Sequence, residues 1–203
     1  MRFIESILLK DGEYQNLQLH QSRMDEVFNR HHLKNASHNL NDILPDLKMN
    51  GTFKVRLVYD MDSEDAEYDI EFSEYHPRKI KTLEVVSSPP FDYSMKFEDR
   101  SEINKLVKSS MADDIIIGID NHLTDGSYFN LAFWDGEEWL TPDSYLLNGV
   151  RRQQLLNELK IKETAIKIHD LKNFEKISLI NAMMDLGELE LPISAIDIPK
   201  NDG

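Results

Sequence analysis

The chain has 203 residues, 40% of them hydrophobic and 30% charged, enough for one large domain or two small ones with a real core. Its net charge of -14 would repel nucleic-acid backbones and anionic lipid surfaces, so neither is an expected partner. The absence of cysteine excludes disulfides, thiolate catalysis and Cys-ligated zinc. Met1-Arg2-Phe3-Ile4-Glu5 begins no long apolar run, and no stretch of about 18 apolar residues could span a bilayer, so a cytoplasmic protein is the expectation.

In chain order, Phe3 to Leu9 is short and apolar-rich and precedes Asp11-Gly12, which predicts a strand and a turn. A second strand around Leu17 to Leu19 would close a hairpin. From Ser22, which is available as a cap, Met24, Val27, Phe28 and Leu33 recur at helical spacing. Another helix is expected from Asn39 to Lys48, shortened by Pro45. Thr52 to Tyr59 and Ala66 to Phe72 alternate around the acidic turn Asp60 to Asp65 and predict a β-hairpin, and Lys79 to Val86 predicts a further strand. Ser87-Ser88-Pro89-Pro90 is the best linker, because two prolines fit neither a central strand nor a helix interior. It divides the chain into residues 1–88 and 89–203.

The second half opens with Tyr93 to Phe97, followed by a helix from Ser101 to Ser110. Ile115 to Ile119 is a β-branched run typical of a buried strand. Tyr128 to Trp134 and Glu138 to Leu140 flank the hairpin signal Asp135-Gly136. Arg151 to Leu159 predicts a helix with Leu155, Leu156 and Leu159 on one face. Ala165 to His169 predicts a strand, Leu171 to Phe174 a turn or short helix, and Ile177 to Met183 another strand. The class is α+β.

Most chemistry-bearing patterns are missing. The seven His, including His31-His32, have no partners at metal-motif spacing and read as surface or structural residues. Asp60 to Asp69 lacks the ligand ladder and central Gly of a calcium loop. There is no GxxxxGK, GxGxxG or GxSxG. What remains is Lys96, just past the double proline, and Gly149-Val150-Arg151-Arg152 at a helix start. There, backbone N–H groups and the helix dipole favour an anion. Taken alone, Lys96 reads as a surface lysine.

Several segments, taken in order, resemble the class IV aminotransferase family, the D-amino-acid-aminotransferase-like pyridoxal-phosphate (PLP) fold. Phe3-Ile4-Glu5-Ser6-Ile7, Asp11-Gly12, then His20 and Arg23 match its opening. Lys96 with Asp99-Arg100 resembles the lysine segment of the family's 4-amino-4-deoxychorismate lyases. Leu123-Thr124-Asp125-Gly126-Ser127-Tyr128-Phe129-Asn130 resembles the stretch that ends in Asn before a strand. Thr141-Pro142 and Leu146-Leu147-Asn148-Gly149-Val150-Arg151-Arg152 are similar to the Thr-Pro, spacer, Leu-x-Gly-Ile-Thr-Arg signature. Ile180-Asn181-Ala182-Met183 resembles the lyase Asn-Ala-Leu/Met motif.

The resemblance implies a two-lobe fold, with a small N-terminal α/β lobe and a C-terminal β-barrel-like lobe. It implies that Lys96 carries PLP, which serves as an electron sink. Arg23, the backbone at Gly149, Val150 and Arg151, and Asn181, Ala182 and Met183 would hold the phosphate. Asp125 stands where the family usually places a Glu against the pyridine nitrogen, and Arg151 where it prefers Thr. The implied reaction is removal of pyruvate from 4-amino-4-deoxychorismate, giving 4-aminobenzoate for folate synthesis, with Arg56 and Arg100 placed to meet substrate carboxylates. The alternatives are a transaminase of a small amino acid and a non-catalytic relative serving as a binding module. A homodimer is implied as well.

Overall fold

A computed structural model describes residues 1–31, 38–60 and 67–198. The chain divides into two compact units, Met1–His76 with Ser94–Asp99, and Pro77–Tyr93 with Arg100–Gly203.

The first unit contains β1 (Arg2–Lys10), β2 (Glu13–Tyr14), α1 (Leu17–Arg30), α2 (Leu40–Ile43), β3 (Thr52–Asp60) and β4 (Tyr68–Glu74). Its sheet is antiparallel in the order β2-β1-β3-β4. The sheet's core face carries Phe3, Ile7, Leu9, Val55, Leu57 and Tyr59, alternate residues on paired strands, packed with Met24, Val27 and Phe28 of α1. The lysine segment also belongs here. Phe97 bridges to Phe3, the Ile4 N–H donates to the Lys96 carbonyl at 3.1 Å, and the Glu98 N–H donates to the Arg2 carbonyl at 2.9 Å.

The second unit contains β5 (Leu83–Ser87), α3 (Ser101–Ser109), β6 (Asp114–Ile119), β7 (His122–Gly126), β8 (Asn130–Trp134), β9 (Trp139–Pro142), α4 (Val150–Asn157), β10 (Lys162–Thr164), β11 (Lys176–Ile180), β12 (Glu190–Pro192) and β13 (Ile196–Asp197). They form two sheets, β13-β5-β6-β7 and β10-β9-β8-β11-β12. The fold is α+β, and among the described residues these sheets do not close into the expected barrel.

The sequence expectations differ from the structure at particular places. Leu17 to Leu19 is not a strand but the first turn of α1. Asn16, in the left-handed region at φ 54°, turns the chain directly into the helix. The buried stripe of α1 is His20, Arg23, Met24, Val27 and Phe28, so two polar inward positions hide its beginning from an apolar scan. Ser22 is therefore mid-helix, its hydroxyl donating to the Gln18 carbonyl at 2.9 Å, and not a cap. The Asn39–Lys48 helix shrinks to one turn, because Leu44 is extended ahead of Pro45. Leu33, Ala66 and most of the Asp60–Asp65 turn lie outside the described residues.

Ala165 to His169 is not a strand either. The Lys167 N–H donates to the Asp170 carboxylate at 2.9 Å, which turns the chain into a 3₁₀ helix over Ile168–Asn173. Leu159 leaves the expected helix face; it lies past the end of α4 at φ 56° and is 87% exposed. β7 was not foreseen as a strand. A single cut at 88/89 also differs from the contact division. β5 pairs in parallel with β6 and so belongs with the second unit, while 94–99 returns to the edge of β1.

Candidate active site

In the first unit, three polar side chains meet in the core. Glu5 alternates inward with Phe3 and Ile7, so β1 carries a carboxylate to a position where an apolar residue is the norm. Arg23 grips it with two donors, Nε to Oε1 at 2.7 Å and Nη2 to Oε2. His20, one helical turn before Arg23, meets Oε2 through Nδ1 at 2.5 Å. Burial alone would raise the Glu5 pKa, but the Arg23 guanidinium and the hydrogen bonds from Arg23 and His20 outweigh it and hold the carboxyl well below its usual range. Burial keeps His20 neutral; Glu5 opposes this and the cations Arg23 and Lys96 reinforce it. A neutral His20 facing an ionised Glu5 carries its proton on Nδ1, which leaves the buried Nε2 as a bare acceptor without a partner among the described residues.

Lys96 belongs to the same end of this unit, close enough for its charge to act on His20. It is half-buried, and its backbone is left-handed at φ 51°, an uncommon state for a side-chain-bearing residue. The two main-chain bonds to β1 hold it there. The structure thus brings Lys96 and Arg23 into one neighbourhood. Arg56 lies on β3 opposite Ser6, on the face away from Glu5, and donates to Glu98 at 2.6 Å.

In the second unit, Asp125 ends up buried on β7. Its Oδ1 accepts the Asn130 amide at 2.6 Å, and its Oδ2 accepts the Leu146 and Leu147 N–H groups at 2.9 and 2.8 Å. Burial pushes its pKa up to about 6, only partly offset by these bonds and by Arg152. Gly149, Val150 and Arg151 open α4. No side chain among the described residues caps this helix, and its first turn carries no acidic residue, so its leading N–H groups suit an anion. Gly149 must be glycine, since a Cβ there would fall 2.0 Å from Asn130 Oδ1.

The two arginines at that helix start are committed elsewhere. Arg151 Nη1 donates to Gln154 at 2.7 Å and to Asp185 at 3.3 Å. Arg152 is buried and donates to Asn148 at 2.9 Å, to the Pro142 carbonyl at 3.0 Å and to Glu163. They fasten loops, and only their backbone amides suit a ligand. Asn181, Ala182 and Met183 form a tight turn in which the Met183 N–H donates to Asn181 Oδ1 at 2.7 Å. Arg100 donates to the carbonyl of Ser127, two residues after Asp125.

The sequence profile described as amino-transferase class IV matches residues 2–191. The chain belongs to the class IV aminotransferase family. It is accordingly a PLP-dependent enzyme. An uncharacterised protein from Haemophilus influenzae is 34% identical over 187 residues, 90% of this chain and 97% of that one. A candidate 4-amino-4-deoxychorismate lyase from Haemophilus somnus superposes with a TM-score of 0.83 at 31% identity, covering 91% of this chain and 97% of the other. A hypothetical aminotransferase from Mycobacterium tuberculosis in a PLP-bound form shares the fold, with a TM-score of 0.79 at 15% identity over 99% and 83% of the two chains.

The class IV residues suit the cofactor unevenly. The uncapped amides of α4 suit its phosphate, and a lysine amine on a backbone bonded to β1 suits its aldehyde. Asp125 suits the ring nitrogen less well, because three N–H groups already occupy its oxygens. Glu5 and Asn130 join the site only in the folded protein. The signal for Glu5 was a carboxylate at an inward position of an otherwise apolar alternation.

Proposed function

We propose that this class IV enzyme is a lyase that converts 4-amino-4-deoxychorismate to 4-aminobenzoate and pyruvate. The observation that carries the reading is the 31% identity, over nearly the whole of both chains, to the Haemophilus somnus candidate lyase. The Lys96-x-x-Asp99-Arg100 segment and the Asn181-Ala182-Met183 turn support it.

PLP, when bound, supplies an electron sink for the bonds at the substrate's amine-bearing carbon. The Lys96 Nζ would hold it and then carry a proton to or from the reacting carbon. Its left-handed backbone, bonded to β1, anchors the base of that side chain. The α4 amides at Gly149, Val150 and Arg151 would orient the phosphate, with Arg23 as its cationic contact and Asn181, Ala182 and Met183 shaping the adjoining turn. Arg56 and Arg100 would meet the two substrate carboxylates, each exchanging a present partner, Glu98 or the Ser127 carbonyl, for the substrate. Loss of pyruvate leaves an aromatic amine, so no keto-acid acceptor is required. A homodimer in the cytoplasm is part of the same proposal.

The test is incubation of the PLP-loaded protein with 4-amino-4-deoxychorismate and no keto acid. Equimolar 4-aminobenzoate and pyruvate are expected. Amino-group transfer that depends on an added keto acid, without 4-aminobenzoate, would replace the lyase with a transaminase.

A further inference from the structure

We propose that Asp125 is a positioning residue, a latch that holds the loop leading into α4, and not the carboxylate that faces the cofactor's ring nitrogen. The proposal rests on the PLP reading for the identity of the phosphate. The latch itself is a property of the second unit alone.

Asp125 and Asn130 grip the same loop residue from both sides. Asp125 Oδ2 accepts the Leu147 N–H at 2.8 Å, while Asn130 Nδ2 donates to the Leu147 carbonyl at 2.8 Å. The same Asn130 amide donates to Asp125 Oδ1 at 2.6 Å, so both of its hydrogens are spent closing the ring. Asp125 Oδ2 also takes the Leu146 N–H at 2.9 Å. Two residues past Leu147, Gly149 is pressed against Asn130 Oδ1 so closely that a side chain there would collide. The residue between is held from the helix side. Arg152 Nη1 donates to Asn148 Oδ1 and Gln153 Nε2 donates to the Asn148 carbonyl, each at 2.9 Å. The whole path from Leu146 to the first turn of α4 is thereby fixed, and with it the direction of the amides at Val150 and Arg151.

The side-chain length fits this role. A carboxylate offers about four acceptor sites, and three N–H donors already lie on the oxygens of Asp125. A glutamate, one methylene longer, would carry its carboxyl beyond the two loop amides. Shortened to aspartate, the group stays at the loop, and turning it toward a ring nitrogen would release hydrogen bonds that burial makes expensive to lose.

Amide hydrogen exchange on the cofactor-free protein tests the latch directly, and parallel titrations with PLP and with pyridoxal, which lacks the phosphate, test what it serves. In D125N, an NH2 replaces one acceptor oxygen and faces a donor. Loop amides over 146–150 should exchange about tenfold faster, and PLP should bind about tenfold more weakly while pyridoxal changes by less than about twofold. N130A keeps the carboxylate but breaks the ring, and should show the same pattern; it also stands in if D125N does not fold. Unchanged loop exchange in the variants, or equal weakening of PLP and pyridoxal with a shifted absorption spectrum of the bound cofactor in D125N alone, would overturn the latch. If the loop loosens while neither compound binds even the parent protein, the latch stands and the cofactor reading fails.

Discussion

Glu5 in the first unit and Asp125 in the second are both buried carboxylates, and the protein accommodates them in opposite ways. Glu5 is matched by a cation, Arg23, with a neutral His20 as a second donor, and is held ionised far below the usual range. Asp125 meets only amides, from Leu146, Leu147 and Asn130, with Arg152 contributing charge from further off; burial wins, and its pKa is pushed up to about 6. A full counter-charge reverses the effect of burial, whereas dipoles only moderate it. Ion pairing holds in the first unit, where the Arg23 guanidinium lies against the Glu5 carboxylate at 2.7 Å. Amide donors serve in the second, where the carboxylate meets the backbone of the loop before α4.

The comparison predicts a ranked series of effects. Glu5→Ala should be the most damaging, because it removes the carboxylate that matches the buried Arg23 guanidinium. Breaking a buried pair costs about 3–5 kcal/mol, read as a lower denaturation midpoint at pH 7. A loss below about 1 kcal/mol, the range of exposed pairs, would mean that Arg23 escapes to water.

Next comes pH. The Glu5 pKa is lowered on folding, so its stabilisation is present above the unfolded value near 4.5 and is lost as pH falls below it. The Asp125 pKa is raised from 3.8 to about 6, so its contribution is full below 3.8 and is lost as pH rises through about 6. Raising pH from 4 to 7 should therefore cost the parent protein about 2–3 kcal/mol relative to D125N. Parallel stability–pH curves for the two proteins would break the contrast.

The smallest effect belongs to Glu98, a partly exposed carboxylate facing Arg56 at 2.6 Å and Arg2 at 3.2 Å. Glu98→Gln should change stability by about 0.2–1 kcal/mol, and less in high salt. A salt-independent loss comparable to that of Glu5→Ala would put Glu98 in one class with Glu5.

Much of the fold was legible in the sequence, because alternation in Thr52 to Tyr59 and the β-branched run Ile115 to Ile119 report burial directly. The start of α1 was not, since His20 and Arg23 occupy inward positions that apolar periodicity leaves out. Glu5 was hidden for the same reason: its partners lie 15 and 18 residues away and are brought to it only by packing of α1 on the sheet. Lys96 could be singled out by motif order. That its segment returns to pair with β1, across the double proline, depends on main-chain bonds that no local pattern encodes. Asp125 was found at a family position, but its three N–H donors come from Asn130 and a loop about 20 residues further on, so sequence could name the residue and not its engagement.

The most direct test of the account is borohydride reduction of the PLP-loaded protein followed by peptide mass spectrometry. The account predicts one pyridoxyl group on Lys96 and none in Lys96→Ala. A pyridoxyl group on another lysine of the parent protein, with Lys96 unmodified, would contradict it.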